Sequence, residues 1–216
     1  MSKIELDMAA SARLGVYEAH QLLWRLFSDA ADRRRDFLYR QLGRDTFLAV
    51  SEREPQRRKF VRRLEVKPYA PQLAEGERVL FSLRLNPVVK RREPIPGDER
   101  GRQVRVDMVQ DERKRLMREG APLPPRSEIA QRVALQWLEK RQERLGVSLD
   151  PDSVMAEAYD QARFGKRGGT KPMVLSRIDV RGFASVTGPE RLRQALFQGV
   201  GCAKGLGFGL LMVRRA

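Results

Sequence analysis

Apolar alternation of period two and apolar spacing of three or four residues succeed one another in the order β-α-β-β-α-β, and then do so again. That order predicts an α+β chain of two tandem ferredoxin-like (RRM-like) βαββαβ units. Two further observations agree. The 216 residues suit one sizeable domain or two small ones, and a hydrophobic content of 41% is enough to bury a core. The halves share no sequence repeat, so any likeness between them is one of architecture.

In the first half, Ile4, Leu6 and Met8 alternate with Lys3, Glu5 and Asp7, as in a strand with one buried face. Val16–Phe27 follows as a helix, because Ala19, Leu22, Leu23, Leu26 and Phe27 recur at helical spacing. Phe37, Leu38 and Tyr39, and then residues 46–50, flank Gly43-Arg44-Asp45 as a hairpin with a short glycine-containing turn. Basic residues 57–63 read as a short helix striped by Phe60, Val61 and Leu64. Residues 79–85 read as the strand that closes the unit before Asn86-Pro87. The N-terminal unit is thus expected over 1–88.

Residues 89–103 carry Lys90, Arg91, Arg92, Pro94, Pro96, Gly97 and Gly101, and are expected to be a basic linker. The second unit is expected over 104–216. Val104 and Val106 mark a short strand, and 110–126 reads as a loop or mobile helix outside the core. Ser127 suits the N-cap of a helix over 128–145, with Ile129, Val133, Trp137 and Leu138 as its buried stripe. Residues 154–164 fit helix or strand. A basic, glycine-rich tip at 165–171 precedes an alternating strand over 174–186. Pro189 then opens a helix, and a glycine-rich loop and a strand over 209–213 follow.

Charge narrows the function. Lys and Arg number 43 against 28 Asp and Glu, a net +15, which is the footprint of a polyanion binder. Nucleic acid is the expected partner. A membrane surface fits less well, because no long basic amphipathic helix has a Trp- or Phe-rich face. No run of about 18 apolar residues is present, and residues 1–7 lack the apolar core of a signal peptide. A cytoplasmic location is expected. The single cysteine, Cys202, excludes an internal disulfide and a Cys-rich zinc site, and the single histidine, His20, excludes chemistry that needs two imidazoles. No metal or other cofactor is expected.

Four features bear on chemistry. Residues 199–209, Gly-Val-Gly-Cys-Ala-Lys-Gly-Leu-Gly-Phe-Gly, would let backbone N–H groups approach phosphate oxygens, with Lys204 as a point charge. The loop matches neither a Walker A nor a Rossmann pattern, and it could equally be a tight helix-to-strand connection. Tyr17 and His20, three apart, share a helix face. An imidazole there could move a proton at a ribose 2′-OH, although a lone histidine is more often simply packed. The clusters Arg33–Arg35, Arg57–Lys59, Arg62–Arg63, Lys90–Arg92 and Lys166–Lys171 are individually unspecific and together suit a phosphate backbone. Residues 181–186, Arg-Gly-Phe-Ala-Ser-Val, partly imitate an RNP1 motif, but Ser185 breaks it, so a strand with Phe183 turned inward is expected. Trp24 and Trp137 read as packing, and Cys202 as a small buried hydrophobe.

Tyr17-Glu-Ala-His20, Phe81-Ser-Leu-Arg84-Leu-Asn86-Pro87 and the closing glycine-rich run, in this order across nearly the whole chain, resemble the CasE family. These are the CRISPR repeat-processing endoribonucleases of the type I-E Cascade complex. The resemblance implies two ferredoxin-like domains and a metal-independent nuclease. It would cut at the 3′ base of a repeat stem-loop, leave a 2′,3′-cyclic phosphate and a 5′-OH, and stay on the guide RNA with the other Cascade subunits. Outside that complex it would be a monomer. By position, the resemblance gives His20 the acid/base role, Tyr17 a helper role and Arg25 phosphate stabilisation, since an arginine does not donate its proton at neutral pH. It places the glycine loop, with Lys204, Gly205 and Gly207, in the RNA cleft, and Lys166 and Arg167 on a hairpin that enters the RNA stem. Lys171, Lys90 and Arg91 are further candidate RNA contacts. Residues 110–126 look like an insertion.

A non-catalytic RNA-binding or ribosome-associated protein with an inert His20 fits composition and fold equally well. A basic DNA-binding regulator fits worst, because its best recognition helix, 128–145, is mostly core stripe.

Overall fold

A computed structural model of the chain describes residues 1–12, 14–28, 30, 34–96, 98–164 and 173–216. The first half is a four-stranded antiparallel sheet of β1 (Ser2–Leu6), β2 (Phe37–Gln41), β3 (Thr46–Ser51) and β4 (Val61–Val66), in the order β2-β3-β1-β4. After a single turn, α1 (Met8–Ser11), the helix α2 (Val16–Phe27) crosses one face. The alternation of β1 puts Ile4 and Leu6 into the core. Ala19, Leu23, Leu26 and Phe27 of α2 meet them together with Phe37, Tyr39, Phe47 and Ala49. Met8, expected to continue the strand, is 87% exposed at the start of α1.

The second sheet is built from β5 (Arg78–Leu85), β8 (Val147–Leu149), β9 (Met155–Phe164), β10 (Met173–Val186) and β11 (Leu211–Arg215). Its order is β11-β5-β10-β8, with β9 also on β10. Helices α4 (Arg126–Glu139) and α6 (Pro189–Gln198) contribute Ile129, Val133, Trp137, Leu192 and Leu196 to its core. Both sheets therefore have the 4-1-3-2 strand order of a ferredoxin-like unit.

Three expectations are corrected together. Residues 57–63 form no helix. Val61 begins β4, which pairs with β1, Ile4 facing Leu64. Residues 79–85 do not close the first unit but open the second, pairing with β10 and β11. The first three strands of the unit stand where expected and its fourth is β4 rather than 79–85, so the division at residue 88 cuts across the second sheet. Alternation reports that a strand has a buried face; it does not report which distant strand will pair with it. Nor is 89–103 a linker: β6 (Val88–Ile95) and β7 (Asp98–Asp107) form a separate two-stranded hairpin.

Residues 110–126 are likewise not outside the core. They contain most of α3 (Met108–Arg118), which buries Val109 and Leu116. The Asp107 carboxylate caps it, accepting from the Val109 and Gln110 N–H groups at 2.8 and 3.0 Å, and also accepts from Tyr159 and Ser176. Ser127 caps nothing, because α4 already begins at Arg126, with Pro125 at its cap position. That helix stops at Glu139, and α5 (Gln142–Leu145) is a separate turn ended by Gly146 at φ +68°. Phe183 is only half-buried, with the Arg78 guanidinium 4.8 Å above its ring, and Cys202 is exposed rather than buried. Among the described residues no helix is long and apolar enough to cross a membrane.

Apolar and ionic contacts both join the sheets. Leu38 and Val50 of the first meet Leu210 just before β11. Asp179 on β10, 9% exposed, receives both Nε and Nη2 of Arg84 at 2.8 and 3.0 Å, and Arg40 of β2 at 3.5 Å. Arg40 also donates to Ser82 at 2.9 Å.

Candidate active site

Helix α2 has an apolar face, so the residues beside that face stand at its margin, half-buried. Tyr17, His20 and Trp24, spaced by three and four, form a ladder there. Their ring centroids are 6.5 Å apart from Tyr17 to His20 and 6.1 Å from His20 to Trp24. They line an open groove of about 800 Å³ with Gln21 and Arg25. Sequence spacing placed Tyr17 and His20 together, and the structure does so too.

The glycine loop closes over His20 from the far end of the chain. A Cβ on Gly205 would stand 3.7 Å from the imidazole Cε1 and 3.3 Å from Nη1 of Arg35, so the bare backbone lies between the two side chains. Nδ1 of His20 and Nη1 of Arg35 are both buried, and among the described residues neither has a side-chain or backbone partner at hydrogen-bond geometry. Burial holds the imidazole pKa below its ordinary value; the Gly205 backbone opposes this, and the Arg35 charge adds to it. A neutral imidazole at neutral pH is a competent base.

The loop is tied to β2. The Tyr39 hydroxyl donates to the Gly205 carbonyl at 3.2 Å, and Gly207, at φ +85°, lies flat on the Tyr39 ring, where a Cβ would come within 3.0 Å. Burial pushes the Tyr39 phenol far above its usual range, so it stays a donor. Lys204 donates to the Gln198 carbonyl at 2.7 Å. Its pKa is lowered by burial, then by the charges of Arg35 and Arg144.

The other candidates are dispersed. Arg25 lines the groove, but its guanidinium stands 5.0 Å over the Phe60 ring rather than at His20. Lys90 faces Arg105 across the β6–β7 hairpin, and both charges act to lower the Cys202 thiol pKa against the larger, opposite effect of burial. Arg91 points the other way and pairs with Asp111 at 2.6 Å. Lys166, Arg167 and Lys171 lie outside the described residues, as does Arg33; Phe164 and Met173, which pair across β9 and β10, bracket that tip. Arg35 is the residue that sequence reading missed. It stood in an unspecific cluster, and only the path from α2 into β2 sets it against His20.

A profile of CRISPR-associated proteins matches residues 1–215. The chain is 27% identical to the CRISPR system Cascade subunit CasE of Escherichia coli K12 over 222 residues, covering 98% of this chain and 96% of that protein. It superposes on the CRISPR endoribonuclease Cse3 bound to a 19-nucleotide RNA with a TM-score of 0.71 at 25% identity, covering 99% and 98% of the two chains. Cse3 of Thermus thermophilus, bound to an RNA representing a pre-cleavage complex, gives 0.70 at 26% identity, covering 99% and 97%. The Escherichia coli Cas6e crystal structure shares the fold, with a TM-score of 0.59 at 21% identity and full coverage of both. With a match that runs from the first strand through the last, the chain belongs to the CRISPR-associated protein family, as a protein of the CasE type.

Proposed function

We propose that this chain is a metal-independent endoribonuclease that processes CRISPR RNA. It binds the repeat stem-loop, cuts at the 3′ base of the stem and remains on the product with other Cascade subunits. The similarity to RNA-bound Cse3 and to CasE supports the substrate class. The observation that carries the chemistry is the half-buried His20, held neutral between Tyr17, Trp24 and the Gly205 backbone, with Arg35 alongside.

In this reading His20 takes the proton from a ribose 2′-OH. The O2′–phosphorus bond forms, the phosphorus–O5′ bond breaks, and the proton passes to the departing O5′. The products are a 2′,3′-cyclic phosphate and a 5′-OH. The pentacoordinate phosphorane carries extra negative charge, and Arg35, with Arg25 and Lys204 on the rims, stabilises it. Such a donor lowers the barrier by about 3–4 kcal/mol. Tyr17 orients the ring or the ribose. Gly205 and Gly207 bring the loop backbone to the strand, while Lys90, Lys166, Arg167 and Lys171 extend the phosphate contacts outward.

A repeat stem-loop RNA incubated in EDTA tests the proposal. Wild type cuts it once, and a 2′-deoxy sugar 5′ of the bond abolishes cutting. His20→Ala binds without cutting. Equal cutting by His20→Ala would overturn the site, and binding without cleavage by wild type would favour a non-catalytic RNA-binding protein.

A further inference from the structure

Past Lys204 the glycine loop borders a second cavity, about 300 Å³, between α5 and α6. Arg141, Arg144, Arg191 and Lys204 line it with Gln194 and Gln198. No acidic side chain lines it, and among the described residues none of the four cations forms an ion pair. Arg141 is held in place, its guanidinium 4.0 Å over the Trp137 ring and its Nη1 donating to the Trp137 carbonyl at 2.8 Å. Arg144 and Arg191 are exposed at the rim.

The cations repel one another. Arg141 is lowered in pKa by burial and then by Arg144, and Lys204 feels Arg35 on one side and Arg144 on the other. A free protein that holds like charges together without acids is arranged for an anion. Lys204 also sets the pocket next to the catalytic groove, because the following residue, Gly205, lies beside His20 and Arg35. A strand that leaves the groove along the loop arrives here.

The shape selects among nucleic acids. A duplex presents its phosphates on a broad convex surface, and a cavity of this size admits a nucleotide but not a double helix. Gln194 and Gln198 can both donate to and accept from base edges or ribose hydroxyls.

We propose that this pocket binds phosphodiesters of unpaired RNA flanking the stem-loop, holding the strand that continues from the cleaved bond. The inference rests on the RNA-processing reading above and adds a single-strand subsite to it.

The test measures binding in a His20→Ala background, with Arg144→Ala/Arg191→Ala added or not, to three RNAs. These are the bare stem-loop, the stem-loop with an unpaired flank on its 5′ or 3′ side, and an octamer of uridylate. With two phosphates held, the flanked RNA binds more tightly than the bare one. That advantage shrinks about sevenfold between 50 and 200 mM salt, from a slope of about −0.7 per phosphate on single strands. The double variant loses the advantage and leaves stem-loop affinity unchanged. No flank advantage without the double substitution, or a double variant that weakens bare and flanked RNA alike, would overturn it. Unchanged thermal unfolding shows that the rim substitutions leave the fold intact. If the stem-loop itself fails to bind, the RNA-processing reading falls, and the octamer alone judges the pocket: weaker binding by the double variant supports it, and equal binding overturns it.

Discussion

The Tyr39 hydroxyl reaches across 166 residues of sequence to donate to the Gly205 carbonyl at 3.2 Å. This bond ties the second strand of the first sheet to the loop that covers His20, so the candidate active site is assembled at the seam between the two sheets.

Tyr39→Phe removes that donor and leaves the Gly205 carbonyl without its partner. A loss of about 0.5–1.5 kcal/mol in unfolding free energy is expected. The cleavage rate falls more than RNA affinity does, because the loop beside His20 loosens. Denaturant unfolding and single-turnover cleavage measure the two separately. An unchanged rate would show that the bond does not position the loop.

Gly207→Ala forces a Cβ into the left-handed region at φ +85° and into the Tyr39 ring. The backbone alone costs about 1–2 kcal/mol. For a chain of this size that corresponds to a drop of about 2–8 °C in Tm. A thermal melt of the variant checks it.

With His20 as the proposed base, the cleavage rate is expected to have an acidic limb set by its titration. Because burial and Arg35 both hold its pKa below the ordinary value, the neutral base persists below pH 6.5, and the limb lies on the acidic side of a free histidine. Arg35→Ala removes a repelling cation and admits water, so the limb moves to higher pH while the plateau rate falls. The pH profile of single-turnover cleavage in both proteins checks the sign; a limb that stays in place would show that Arg35 does not act on His20.

Asp179 compensates Arg84 and Arg40 where all three side chains are largely shielded from water. Asp179→Ala leaves those guanidinium groups uncompensated, at a cost of about 3–5 kcal/mol. Denaturant unfolding should show a markedly lower midpoint, and the interface between the sheets should open first by hydrogen exchange.

Local pattern carried much of this molecule. The spacing of Ala19, Leu23, Leu26 and Phe27 specifies α2 and, with it, the shared margin of Tyr17 and His20, because a helix fixes which residues are neighbours. The alternation in 174–186 announces the long strand β10, and Pro189 opens α6 where expected. The glycine loop was recognisable as a feature because few other segments need so many residues without side chains.

Partners at long range were not legible. Residues 79–85 have the same alternation whether they end the first unit or begin the second, and the choice was made by β10, nearly a hundred residues later. The charged segment of α3 looked unfit for a core because Val109 and Leu116 are its only buried side chains, and Asp107 joins it to β9 and β10 through side chains distant in sequence. Arg35 followed the same rule. Composition and periodicity by themselves determined a basic α+β chain with one usable imidazole on a helix margin. Only the tertiary structure decided that a loop from the other end would bury that imidazole beside a guanidinium, since pairing of strands and burial of charge depend on the whole chain's packing rather than on any local window.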